Sequence, residues 1–261
     1  MAAVYSAAVL CLTMGLGAAL SAQDRRHAAG QSVTPSFDGW FKNADGSFTL
    51  VYGYFNRNFD ESLDLPVGPG NRLEPGAEDR GQPTHFLARR QFGAFTVRVP
   101  ADFGTQVLTW TLVDRGGTFK VPGYLRPEWE ITPLLELTTG TKPPLVTFEA
   151  KGTAAEGPAG PSRIATVAAG APLELLAWVT PRPGEHSEGR AALPVVWSHY
   201  RGPGAVTFSP DRPKADGAGK VTTSVVFSQP GDYTLRLLAG LADTTGCCWT
   251  NGLVRVTVTA R

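Results

Sequence analysis

Apolar and polar residues alternate in short runs along most of this chain, the two-residue period of a strand with one buried face. Phe48, Leu50, Tyr52 and Tyr54 share one parity and follow the apolar pair Trp40-Phe41 across Asn43-Ala44-Asp45-Gly46. Asp-Gly between two such runs predicts a hairpin, because glycine accepts the positive φ of the turn. Further strands are predicted at 92–99, 106–113 and 118–121, with a short one at 63–67. Beyond residue 162 the runs recur closely, at 163–168, 173–179, 194–200, 205–208, 220–227, 233–239 and 253–259. Val221, Val225 and Phe227 alternate, as do Tyr233, Leu235 and Leu237, and then Val254, Val256 and Val258. Short strands at such intervals, separated by turn residues, predict a sandwich. The expected fold is all-β, with two β-sandwich domains.

The breaks in the pattern set the expected boundaries. Residues 151–162, containing Gly-Pro-Ala-Gly-Pro-Ser, read as a linker between a first domain at 32–150 and a second at 163–261. Residues 57–85 are rich in Pro and Gly and carry Asp60, Glu61, Asp64, Glu74, Glu78 and Asp79. A loop that long inside a compact domain is unusual and marks a candidate functional segment.

Composition narrows the class further. With 30 Gly and 21 Pro in 261 residues, long helices are not expected, while 42% apolar residues suffice for a core. A net charge of +1 and isolated basic pairs such as Arg89-Arg90 give no nucleic-acid surface. Residues 1–22 hold no Lys, Arg, Asp or Glu, and 7–20 form an apolar and small-residue run too short for a stable span. That run reads as a signal peptide ending at Ala19-Leu20-Ser21-Ala22. Cys11 lies within it, and Val9-Leu10 before it does not suit lipoprotein processing. The expected location is secreted, periplasmic or cell-envelope, with no membrane span in the mature chain.

In the second half, Val195-Val196-Trp197-Ser198-His199-Tyr200 runs into the Gly202-Pro203-Gly204 turn, and Pro230-Gly231-Asp232-Tyr233 opens a later strand. These segments resemble the polycystic-kidney-disease (PKD) type of immunoglobulin-like domain. The resemblance implies an extracellular spacer or adhesion module without chemistry of its own. The first domain resembles secreted bacterial domains of unknown function that share its Gly-Trp-Phe-Lys-Asn and Gly-Tyr-Phe-Asn-Arg-Asn segments. Trp197 is expected at the sandwich centre, and Tyr233 as a tyrosine-corner residue bonding back to nearby backbone.

Candidate chemistry is sparse. Past the leader the only cysteines are Cys247 and Cys248. In an exported protein they are expected to form a vicinal disulfide, with an intermolecular bridge, free thiols or a metal as alternatives. The disulfide would stiffen the 240–252 loop and set Trp249 either as a binding residue or as a wedge against the first domain. Most of the first domain's aromatics are expected in its core; Tyr54 and Phe59, with Phe55, could instead form a platform for a sugar or a protein. His85 could pair with Asp79 for acid–base work. His199 shares parity with Trp197 and is expected to point inward, while His186 sits in an exposed loop. No nucleophile elbow, zinc-protease motif or phosphate loop occurs. No cofactor is expected, although the acidic loop offers oxygen ligands that could hold calcium. The sequence thus points to a non-enzymatic binding or scaffolding protein with a protein or glycan partner. A carbohydrate-binding or carbohydrate-acting protein is the alternative.

Overall fold

The computed structural model describes residues 27–184, 193–240 and 247–261. The expected signal peptide, Cys11, His186 and residues 241–246 of the 240–252 loop lie outside the described residues. The fold is all-β. Its first sandwich starts with the hairpin of β1 (Val33–Lys42) and β2 (Phe48–Asn56), where Lys42 faces Phe48 and Gly46 turns the chain. It continues through β3 (Leu63–Asp64), β4 (Asn71–Glu74), β5 (His85–Phe86), β6 (Arg89–Val99), β7 (Leu108–Asp114) and β8 (Gly117–Gly123). Strands β1-β2-β6 form one sheet and β4-β7-β8 the other, with β3-β5 as a two-stranded ladder beside them. Between the sheets lie Leu50, Tyr52, Leu73, Phe86, Trp110 and Leu112, all fully buried. Tyr52 stacks on Phe95 at 5.1 Å and donates its hydroxyl to the Leu108 carbonyl at 2.7 Å.

The 57–85 segment is ordered by the β3-β5 and β4-β7 ladders and, between them, by buried amides. Asn71, with no exposed surface, donates to the carbonyls of Leu65 at 2.9 Å and Pro83 at 2.8 Å and accepts from the Trp110 indole at 3.0 Å. Asn56 donates to the carbonyls of Glu61 and Phe86, and Gln82 to that of Glu78. Backbone groups buried by a loop need such partners, which side-chain amides supply in pairs. Four of the segment's carboxylates are partnered: Glu61 pairs with Arg115, Glu74 with Arg72 and Asp79 with Arg201, and Asp64 lies against the His85 imidazole.

A 3₁₀ turn at Pro127–Trp129 leads towards the second sandwich. That sandwich comprises β9 (Lys142–Thr147), β10 (Ser162–Ala168), β11 (Leu173–Arg182), β12 (Val195–Arg201), β13 (Val206–Ser209), β14 (Lys220–Phe227), β15 (Gly231–Gly240) and β16 (Trp249–Thr259). One sheet has the order β10-β16-β15-β12 and the other β13-β14-β11-β9. The sequence expectation needs correction at β9, which was placed in the first domain. It pairs antiparallel with β11, Val179 opposite Val146, and Val146 is buried in the second core. Pro143 and Pro144 are tolerated because β9 is an edge strand. Residues 151–162 are likewise not a bare linker, since Val146 and Ala155 exchange two backbone bonds at 2.9 Å.

Trp197, 2% exposed, lies in the second core 6.1 Å from the Phe148 ring. The Tyr233 hydroxyl donates to the Gln229 carbonyl at 3.0 Å. Its ring lies over Gly202, at φ +145°, where any Cβ would collide with it. No helix of the described residues is long and apolar enough to cross a membrane.

Candidate functional site at the seam between the sandwiches

The outward face of the β1-β2 sheet is apolar at Phe41 and Val51, and that of β15-β16 at Leu238 and Trp249. These faces meet. Phe41, Val51 and Trp249 form a separate buried cluster with Ile131 and Leu238 packed against it. Trp249 is 2% exposed, and its ring occupies the space where a Cβ on Gly93 would project. Glycine at 93, with φ +52°, therefore serves twice, allowing both the backbone turn and the close approach of the indole.

Beside this cluster a guanidinium is buried with no carboxylate of the described residues among its hydrogen-bond partners. Arg236, 4% exposed, donates to Asn251 Oδ1 at 2.9 Å and to the Gly93 carbonyl at 3.3 Å. Asn251 donates to the same Gly93 carbonyl at 3.0 Å and to that of Pro158 at 3.1 Å. Burial pushes the Arg236 pKa down, against the opposing influence of the Tyr54 and Tyr200 hydroxyls nearby. Burial likewise pushes the Tyr54 and Tyr200 hydroxyls above their ordinary range. A charged group removed from water is stable only where fixed dipoles replace its hydration, so this arrangement ties β6 of one sandwich to β15 and β16 of the other.

The end of β12 makes the third contact. Tyr200 sits within the first core and donates to the Gly81 carbonyl at 2.5 Å, while its own carbonyl accepts from the Thr84 amide at 3.1 Å. Arg201 donates to the Gln82 carbonyl at 2.6 Å and forms two parallel bonds to Asp79, at 3.0 and 2.8 Å. Those bonds hold the Asp79 carboxyl below its usual range. The expected His85–Asp79 pair is thus corrected. Arg201, a permanent cation with planar geometry, takes Asp79, and His85 Nδ1 lies 2.7 Å from Asp64 Oδ1.

Across the seam the His85 ring stacks on His199 at 4.4 Å. His199 is 9% exposed, and among the described residues its Nε2 has no hydrogen-bond partner. Burial, and then the neighbouring His85, bring its pKa down to about 4. This pair forms one wall of a cleft of about 570 Å³, lined also by Asp64, Phe208, Asp211 and Arg212. His85 is oriented by a carboxylate as a catalytic base would be, yet no hydroxyl or thiol of the described residues bonds to either imidazole. Among the described residues no three His, Cys, Asp or Glu side chains gather where they could hold a metal ion.

The remaining candidates separate. Tyr54, proposed as a binding residue, is 3% exposed in the first core, and its hydroxyl accepts from the Leu87 amide at 2.9 Å. Trp249 likewise offers no free face. Tyr54 is not available for binding because its parity faces the core of its own sandwich, and Trp249 because the outward face of its strand lies under the other sandwich. Phe59 is 42% exposed, with the Arg89 guanidinium 5.4 Å from its ring centre. Cys247 and Cys248 form a vicinal disulfide immediately before Trp249. Sequence reasoning missed Gly93, Tyr200, Arg201 and Arg236. The available signal was apolar character on both parities, at Leu50-Val51 and Leu237-Leu238, which marks a sheet covered on both faces.

These elements define an all-β protein of two face-packed sandwiches. No family model matches the chain, and no curated protein does. Among solved structures, the D00-D0 domain of Intimin is similar at a TM-score of 0.31 and 13% identity, covering 87% of this chain and 100% of that one. The D0-D1 domain of Intimin reaches 0.28 at 11% identity, over 87% of this chain and 98% of that one. The S-layer protein rSbsC(31-844) reaches 0.26 at 11% identity, over 90% of this chain and 29% of that one.

Proposed function

We propose that this protein is an exported, non-enzymatic spacer that holds two sandwiches in one fixed orientation and binds partners through its outer surfaces. The observation that carries the reading is the seam, where an indole wedge, a buried guanidinium and an Arg201–Asp79 pair connect the two sandwiches at separate points. A flexible pair of domains needs none of these. Export rests on the charge-free apolar run within residues 1–22, and the PKD-type assignment on Trp197, the Gly202-Pro203-Gly204 turn and Tyr233. The carbohydrate alternative is weaker, because its aromatic platform loses Tyr54 to the core and keeps Phe59 as its exposed ring.

Small-angle X-ray scattering of the mature chain tests the proposal. A single rigid conformer should fit the curve, and Trp249→Ala with Arg201→Ala should broaden the distance distribution. Scattering from the unmodified chain that demands an ensemble of domain orientations would overturn the spacer reading. Saturable glycan-array binding lost on Phe59→Ala would favour the carbohydrate alternative.

A further inference from the structure

Most sheet ends in this molecule are closed. β4 is covered where the Leu73 amide donates to the Glu78 carbonyl, and β1 where Ile131 donates to the Trp40 carbonyl. β9 carries two prolines and the Ala155 bridge, and β8 carries Pro122. β12 has a register shift, and its Trp197 amide donates to the Asp211 carbonyl. β13 has four residues. Gly93 of β6 donates to Asp38 and accepts from Arg236.

β10 is more open. It ends its sheet, pairs with β16 over seven residues without a shift, holds no Pro, and carries a single charge, Arg163, on the parity of Ala165 and Val167. Among the described residues no backbone hydrogen bond reaches Ser162–Val167 from outside that pairing. Its alternation puts Ala165 and Val167 against the core and Ile164 outward, 76% exposed, more than any other large apolar side chain described. A groove of about 560 Å³ lined by Phe148, Glu149, Arg163 and Arg255 runs beside it. Natural sheet edges are ordinarily blunted by charge, proline or bulges, because free N–H and C=O groups template the addition of another strand.

We infer that β10 is a self-pairing edge, and that its occupant is β10 of a second copy of this chain, added antiparallel about a two-fold axis at Ala165. In that register Ile164 of each copy faces Thr166 of the other, a β-branched pair on the outward face. Arg163 faces Val167, so no like charges oppose each other, and Ala165 meets itself without bulk. A two-fold axis makes the contact isologous and closed, giving a dimer rather than a fibre. The contact uses the second sandwich alone and does not depend on the seam.

Analytical ultracentrifugation of the mature chain over a concentration series, paired with hydrogen exchange, tests this. A reversible monomer–dimer equilibrium is expected, with Ser162–Val167 amides gaining protection as concentration rises. Ile164→Lys puts a charge next to Arg255 on an exposed position and should weaken self-association by at least about tenfold. Ile164→Val should leave it within about twofold of the unmodified chain. A chain that stays monomeric, a dimer indifferent to Ile164→Lys, or protection appearing elsewhere would each overturn the inference. Exchange on the unmodified chain keeps the test decisive even if a variant folds poorly.

Discussion

His199 concentrates the electrostatics of the seam in one ring. It is almost wholly buried, with Nε2 unpartnered among the described residues and His85 stacked at 4.4 Å. Arg201 on its own strand, Asp211 and Arg212 in the cleft, and the Tyr233 ring at 5.9 Å surround it, with Asp64 beyond His85 opposing the downward shift. The folded protein therefore keeps this imidazole neutral down to about pH 4, whereas the unfolded chain protonates it near its ordinary 6.5. Above 6.5 neither state is protonated and the ring is neutral to stability. Between 6.5 and 4 the unfolded state binds the proton first, so stability falls as pH falls and levels off below 4. The difference corresponds to about 3 kcal/mol. Chemical denaturation of the unmodified chain and of His199→Phe at a series of pH values checks this. Across that window the unmodified chain should lose stability relative to His199→Phe, and a difference between the two that does not change with pH would contradict the assignment.

At the scale of elements, the 57–85 loop is the instructive case. Asn71 joins two loop carbonyls to the Trp110 indole with no exposed surface. Removing it leaves three buried polar groups unpaired at once. Asn71→Ala should cost about 3 kcal/mol, given 1–3 for each group left unsatisfied and partial relaxation. A urea midpoint close to that of the unmodified chain would show that the amide does not organise the loop. Such an element is hard to read from sequence, because a buried amide has no period and its partners lie up to 39 residues away. The alternating runs behaved otherwise. Predicted strand 220–227 is β14 residue for residue, and the Asp45-Gly46 hairpin closes where its turn chemistry required. β9 falls in the expected first domain because the Gly- and Pro-rich run at 151–162 draws the boundary after it, while the ladder that claims it is formed with β11, more than thirty residues on. Trp249 packs as the wedge against the first domain, one of its two expected readings, and Tyr54 faces the first core with Tyr52. Alternation tells which parity faces a sandwich's own core and is silent about a second sandwich covering the other face, so the partners of the Trp249 wedge were not legible.

For the whole molecule, the central claim is that the seam makes the two sandwiches behave as one body. Trp249 and Arg201 lie outside the second core cluster, so their removal cuts the seam while sparing that core. Differential scanning calorimetry reads the coupling directly, since a single cooperative unit gives equal calorimetric and van't Hoff enthalpies. The account predicts one such transition for the mature chain, and its division into two when Trp249→Ala and Arg201→Ala are combined. Two independent transitions in the unmodified chain, or a double variant that melts as one unit at the same temperature, would contradict it.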